Sequence, residues 1–175
     1  MSAWIFQANP TTYDLRSALR DLHKQTWSVR QHRAEIQAGD TAYLWLAGPA
    51  GGLAGVASIL TDPATMAMDP DELRYAAANS DLLGEETRVR IEIGRVLDPP
   101  LNRARVLQWP GLASLQLFRQ AQGTNFPVTG DEAANLEQLI EAEPRQRTPS
   151  HFILITSPLY PDSWGRCNRG SAAGA

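Results

Sequence analysis

Thr41-Ala42-Tyr43-Leu44-Trp45-Leu46-Ala47 and the apolar run from Leu53 to Leu60 are joined by Gly48-Pro49-Ala50-Gly51-Gly52. Both runs are too short for independent helices, and the glycines let the chain reverse tightly, so the pair reads as an antiparallel hairpin. Further strands are legible around it. Ala3 to Gln7 is aromatic and β-branched and is stopped by Asn9-Pro10, and Gln25 to Val29 has the composition of another short strand. In Thr87-Arg88-Val89-Arg90-Ile91-Glu92-Ile93 apolar and charged residues alternate. That is the period of a half-buried strand whose odd positions face the core, and it extends to about residue 96.

Helical signals lie between and after these strands. Tyr13, Leu15, Ala18, Leu19 and Leu22 recur at three- and four-residue spacing, predicting a helix from Thr11 to Leu22 capped by Thr11 or Thr12. A second helix is expected over 112–120. Thr129-Gly130-Asp131-Glu132 has capping-box spacing for a third, whose Leu136, Leu139 and Ile140 share a face and which ends near Glu143-Pro144. Residues 62–86 hold seven acids and one arginine and read as a solvated excursion with helical pattern over 71–78; Gln122 to Val128 reads as an irregular loop. A further strand is expected at 151–156, and the small, polar stretch 165–175 is expected to be disordered.

At 175 residues the chain is the size of one domain, and 43% apolar residues suffice for a core. Sixteen basic against nineteen acidic side chains give a net charge of −3, so any contact with nucleic acid must be local. Residues 16–33 provide such a patch, with Arg16, Arg20, Lys24, Arg30 and Arg33 against Asp21 alone. Charge runs are commonly solvated helix faces, and that alternative stands. Cys167 is the single cysteine, which excludes an intramolecular disulfide and a multi-thiolate zinc site. No apolar run is long enough for a membrane span and no signal peptide is visible, so a cytoplasmic protein, monomeric and away from membranes, is expected.

Nucleophile elbows, phosphate-cradling glycine loops, dinucleotide fingerprints and zinc-ligand pairs are missing. His23, His32 and His151 lie far apart in sequence and suggest no metal site. No cofactor and no catalytic residue is assigned. Glu92 lies on the outward face of its strand by the alternation, so a binding role outweighs an enzymatic one.

Three segments together carry a resemblance: Trp4 to Pro10 with Tyr13-Asp14; Trp27 to Arg33 with Ile36, Gly39-Asp40 and Tyr43-Leu44-Trp45; and Gln122 to Pro127. Their order and spacing resemble the EVE domain over roughly residues 3–142. The resemblance implies an α+β fold of the PUA-like kind, a small twisted mixed β-barrel with flanking helices, related to the YTH domains that hold methylated adenine. It places the domain at residues 1–145 and leaves 146–175 as a partly disordered extension.

What the resemblance implies about function is a non-catalytic reader of a modified nucleobase, 5-methylcytosine or a relative, flipped into an aromatic pocket. DNA is the expected carrier ahead of RNA, with a restriction or modification enzyme as a partner. The alternative is an enzyme or accessory subunit in RNA or nucleotide modification or in a restriction system. Trp27-Ser28 occupies the place of the YTH Trp-Ser that walls the base, and Asn9 follows the first strand where polar contacts arise. Gly123, Thr124, Asn125 and Phe126 complete the base-binding set, and the basic residues of 16–33 are the phosphate-binding set. The second YTH aromatic wall falls on the 87–96 strand, where this chain has Ile91 and Ile93. Phe126, Trp45 and Trp109 are the aromatics that could replace it. Without the resemblance, Trp4 and Trp45 read as core and Asn9 as a turn residue.

Stacking a base on an indole is worth about 1–3 kcal/mol without telling bases apart. One buried methyl group adds about 0.8 kcal/mol, so selectivity requires a snug cavity with polar groups at the base edge. On this reading Trp27→Ala removes base preference and leaves melting nearly unchanged.

Overall fold

The computed structural model describes residues 1–120 and 122–143. Six strands form one path in the order β2-β6-β4-β3-β1-β7, with a seventh, β5, paired to β6. In chain order they are β1 (Ala3–Ala8), β2 (Lys24–Ser28), β3 (Thr41–Leu46), β4 (Gly52–Ile59), β5 (Ala64–Met66), β6 (Glu86–Asn102) and β7 (Asn125–Val128). β1 and β3 run parallel and every other pair is antiparallel, so the sheet is mixed. It is not closed by a backbone ladder: β2 and β7 stand at the two free ends of that path. The helices are α1 (Leu15–Asp21), α2 (Arg103–Gln108), α3 (Gln116–Arg119) and α4 (Gly130–Ala142), with 3₁₀ turns at Pro70–Tyr75 and Asp81–Leu83.

The expected hairpin is β3 and β4, and its turn needs glycine: a Cβ on Gly51 would stand 1.9 Å from the Leu46 carbonyl oxygen. Alternate residues of β1 and β3 serve two apolar clusters. Trp4, Phe6 and Leu44 pack with Trp27, Val89 and Ile91 on one face. Ile5, Tyr43 and Trp45 pack with Leu112, Phe126, Leu136 and Leu139 on the other. A strand buried on both faces has no polar alternation, which is why β3 reads as a continuous apolar run.

Several expectations are corrected. The first helix starts at Leu15 and its N-cap is Asp14, whose carboxylate accepts from Ser17 N. Residues 9–13 are taken by a turn in which Asn9 Oδ1 accepts from Thr11 N (3.0 Å) and Thr11 Oγ1 (2.8 Å), side-chain bonds that compete with helix. β6 continues through Asp98-Pro99-Pro100 to Asn102. Its ladder with β4 steps from Gly55↔Val96 to Leu53↔Leu101, so the prolines fall in a bulge where no N–H is demanded.

The helix expected over 112–120 contracts to Gln116–Arg119, and α2 precedes it. The pattern at 71–78 is the 3₁₀ turn Pro70–Tyr75. The loop expected at 122–128 contains β7, an edge strand on β1 that tolerates Pro127. The capping box at Thr129 and Glu132 is formed. The strand expected at 151–156 and the disorder expected at 165–175 lie outside the described residues.

Candidate functional site

β2 places Thr26, Trp27 and Ser28 beside the end of β1 and the turn that follows it. Between them opens a cavity of about 370 Å³. Gln7, Ala8, Asn9, Thr12 and Tyr13 line one side, Gln122, Gly123 and Thr124 another, and Arg30, Met68, Asp81, Leu82 and Arg88 the remainder. The described aromatic lining is Trp27 and Tyr13.

Trp27 is only 6% exposed, and its indole stacks on Phe6 with centroids 5.8 Å apart and planes 28° from parallel. One side of the ring therefore belongs to the core while the residue also borders the cavity. Among the described residues its indole N–H has no hydrogen-bond partner. Burial of this depth corrects the expectation that Trp27→Ala leaves melting nearly unchanged. Tyr13 donates from its hydroxyl to Gln25 Oε1 at 3.2 Å, and burial followed by the nearby Glu72 carboxylate pushes its phenol far above the ordinary range.

Of the base-binding set drawn from the sequence, Asn9, Trp27, Ser28, Gly123 and Thr124 are brought together on the cavity wall. Asn125 and Phe126 are not among the lining residues. Asn125 Nδ2 donates to Ser28 O at 3.1 Å, and Asn125 Oδ1 accepts from Arg30 N at 2.9 Å. Phe126 belongs to the opposite cluster, opposite Ile5 in the β1 ladder. Ile91 is core, Trp45 packs edge-on against Phe118, and Trp109 lies beneath the Arg105 guanidinium. None of these supplies a second aromatic wall. Tyr13 is the other aromatic residue lining the cavity, and its place in the first of the three resembling segments was the available signal.

Of the five cations of the basic segment, Arg30 lines the cavity. It pairs with Asp81 at 2.8 Å, and Glu86 lies 3.7 Å from its Nε. Arg16 pairs with Asp98 at 2.5 Å, Arg20 donates to Ser17 Oγ, and Arg33 donates to Val29 O. Lys24 is exposed at the start of β2 opposite Glu92. Two of the five, Arg16 and Arg30, are thus paired with acids distant in sequence.

Arg88 was not among the site residues drawn from the sequence. Strict alternation places it outward, yet it is 1% exposed and is the cross-strand partner of Ser28. The acidic excursion turns back over it: Arg88 Nη2 contacts the carbonyls of Leu82 and Gly84 and Glu86 Oε1, the last at 2.9 Å. Ser28 Oγ donates to Glu86 and lies 3.4 Å from Arg88 Nη1. Arg88 Nε is buried with no partner among the described residues. Beside the cavity, then, the Arg88 Nη atoms and the Ser28 hydroxyl are engaged with one another, with Glu86 and with backbone carbonyls, and the Arg88 charge is neutralised.

Proton-transfer groups are few here. Asp81 is the carboxylate among the lining residues, and its bond to Arg30 holds it below the usual carboxylate range. Glu92 is exposed on β6, and His32 packs against Trp4 and contacts Glu35. Among the described residues no group of three His, Cys, Asp or Glu could hold a metal ion, and no helix is long and apolar enough to cross a membrane.

Comparison with known proteins places this geometry. Human THYN1, solved in complex with DNA containing 5-methylcytosine, aligns at TM-score 0.59 and 16% identity, covering 82% of this chain and 100% of that one. A protein of Rhodopseudomonas palustris aligns at TM-score 0.57 and 20% identity over 85% and 99% of the two chains. One from Pseudomonas putida aligns at 0.55 and 23% over 79% and 99%. No curated protein matches. The family model of the EVE domain matches residues 2–139, which is most of the described sheet and its helices, and the chain belongs to the EVE domain family.

Proposed function

We propose that this protein is a non-catalytic reader that accepts one modified base of DNA, of the 5-methylcytosine kind, into the cavity beside Trp27. The observation that carries the reading is that a core-anchored indole borders a cavity of about 370 Å³ whose wall also holds Asn9, Ser28, Gly123 and Thr124. That size is at the lower end for small-molecule sites and suits one flat heterocycle with its sugar. The binding of methylated DNA by human THYN1, which shares the fold, supports the same ligand class here.

A base leaving a duplex loses a few kcal/mol of stacking and pairing, and Trp27 and Tyr13 offer apolar surface in exchange. Identity is read by donors: the Trp27 N–H, the Asn9 amide not engaged in its turn, and the Thr124 hydroxyl. These suit the carbonyl and unprotonated ring nitrogen of a pyrimidine. The extra methyl contributes about 0.8 kcal/mol by burial, roughly fourfold in affinity. The paired state of Asp81 supports binding over general acid or base work.

The test is a fluorescence-anisotropy titration at low salt with labelled duplexes that differ in a single cytosine methyl group. A several-fold preference for the methylated duplex supports the reading. Identical isotherms across modified and plain bases, or an equal preference retained by Trp27→Phe and Thr124→Val together, overturn it.

A further inference from the structure

At the cavity Arg30 Nη2 pairs with Asp81 Oδ2 at 2.8 Å, while Glu86 Oε2 stands farther off, 3.7 Å from Arg30 Nε. Arg30 and Asp81 line the cavity, and their side chains are 41% and 67% exposed, so solvent reaches each. The backbone on either side is fastened independently of the pair. Arg30 N donates to Asn125 Oδ1, and the Asp81–Leu83 turn is held from beneath by Arg88 through the Leu82 and Gly84 carbonyls. The pair can therefore open by side-chain rotation alone, without moving a strand or a loop.

A nucleotide that places its base in this cavity brings a phosphodiester to the mouth, because base and phosphate are joined through a single sugar. Asp81 already presents an anionic oxygen, Oδ2, to the guanidinium that a phosphate would seek. We infer that Asp81 is an internal stand-in for the ligand's phosphate: it occupies Arg30 in the free protein and yields it to the phosphodiester when a base enters. The inference rests on the reading of the cavity as a base pocket.

The magnitudes favour exchange. An exposed ion pair contributes little to stability, so releasing it costs little. Arginine meets phosphate through paired charge-assisted bonds, and neutralising a phosphate releases condensed counterions, a gain that an internal carboxylate does not provide. By occupying Arg30, Asp81 withholds that gain from a backbone that approaches without a base to insert. It thereby lowers affinity for nucleic acid in general and leaves discrimination to the cavity.

The test is a double-mutant cycle of wild type, Asp81→Asn, Arg30→Gln and the double variant. Each is titrated with a labelled duplex carrying one 5-methylcytosine and with the free nucleoside 5-methyl-2′-deoxycytidine. Asp81→Asn is expected to tighten duplex binding about twofold to fivefold at low salt, the range given by freeing one exposed charge. It leaves nucleoside binding unchanged, since the nucleoside has no phosphate. Arg30→Gln is expected to lower the slope of log affinity against log salt by about one.

In the double variant the gain from removing Asp81 disappears. Unchanged duplex affinity in Asp81→Asn, or the same gain with Arg30 absent, overturns the exchange. A wild type that binds methylated and plain duplexes alike, with no nucleoside binding, sinks the base-pocket reading instead, and the cycle still judges the exchange separately.

Discussion

Asn125 joins the two end strands of the β2-to-β7 path through its side chain: Nδ2 donates to Ser28 O at 3.1 Å on β2, while its own backbone lies in β7. Gln31 returns the contact, its Oε1 accepting from Thr124 N at 3.0 Å and Asn125 N at 3.2 Å. The sheet has no ladder between β2 and β7, so this exchange of side-chain amides takes the place of a closing strand pair. It also sets the separation of the Trp27-Ser28 and Gly123-Thr124 walls of the cavity.

Asn125→Ala removes three bonds at once and strands the Ser28 carbonyl and the Arg30 N–H at a protected seam. The expected cost is about 2–3 kcal/mol, seen as a lower urea midpoint at unchanged slope. A loss below about 0.5 kcal/mol, the level of a neutral surface change, contradicts the clasp.

Trp27→Ala deletes a ring that stacks on Phe6 in the core, and about 3–5 kcal/mol of stability is expected to go with it. Trp27→Phe keeps most of the packing and is the better probe of binding. Thermal unfolding of the two variants separates packing from recognition: a Trp27→Ala midpoint equal to wild type shows that the ring is not core.

Arg88 and Arg90 lie two residues apart on β6 and are expected to behave differently. Arg88→Met leaves Glu86 and Ser28 without their buried partner and is expected to cost about 3–5 kcal/mol. Arg90 forms a solvent-accessible pair with Asp69 at 2.5 Å, so Arg90→Met is expected to cost about 1 kcal/mol or less. Denaturant titration of both variants checks the ranking, and equal losses refute it.

Burial is the leading cause that raises the Glu72 carboxyl above its ordinary 4.5, opposed by bonds from Thr26 and Asp69. The folded state then holds this proton more tightly than the unfolded one. Glu72's contribution is complete below pH 4.5 and is lost as pH rises through the raised folded value. Glu72→Gln is therefore expected to flatten the fall in stability on the way from pH 4.5 to neutrality, whatever it costs at acid pH through lost acceptors. Urea midpoints measured across that range read the slope, and parallel profiles for the two proteins refute it.

A Cβ on Gly123 would stand 2.9 Å from Phe126 Cζ, and that ring is fixed in the core. Gly123→Ala is expected to displace the loop that carries Thr124 and to weaken duplex binding severalfold, with about 1 kcal/mol or somewhat more lost in stability. Anisotropy and melting on the same sample check both effects; unaltered binding shows that this wall does not touch the ligand.

The strands and the last helix were readable because local pattern decides them. Continuous apolar runs made β3 and β4, alternation made the body of β6, and Thr129 with Glu132 capped α4. Trp27, Ser28, Asn9, Gly123 and Thr124 could be named through the resemblance of short segments, and the structure brings those five to one cavity. What local pattern could not carry was the pairing of groups distant along the chain.

Arg88 follows an outward period and is nevertheless buried, because the 80–86 excursion returns to supply carbonyls and Glu86. Asn125 reads as a pocket residue and serves as a clasp, because the β2 edge lies within reach of its amide. The basic excess at 16–33 is partly cancelled by Asp98, Asp81 and Glu86 from other elements. Periodicity reports which face of an element is apolar; which charge meets which is settled only when the sheet curls and brings its edges together.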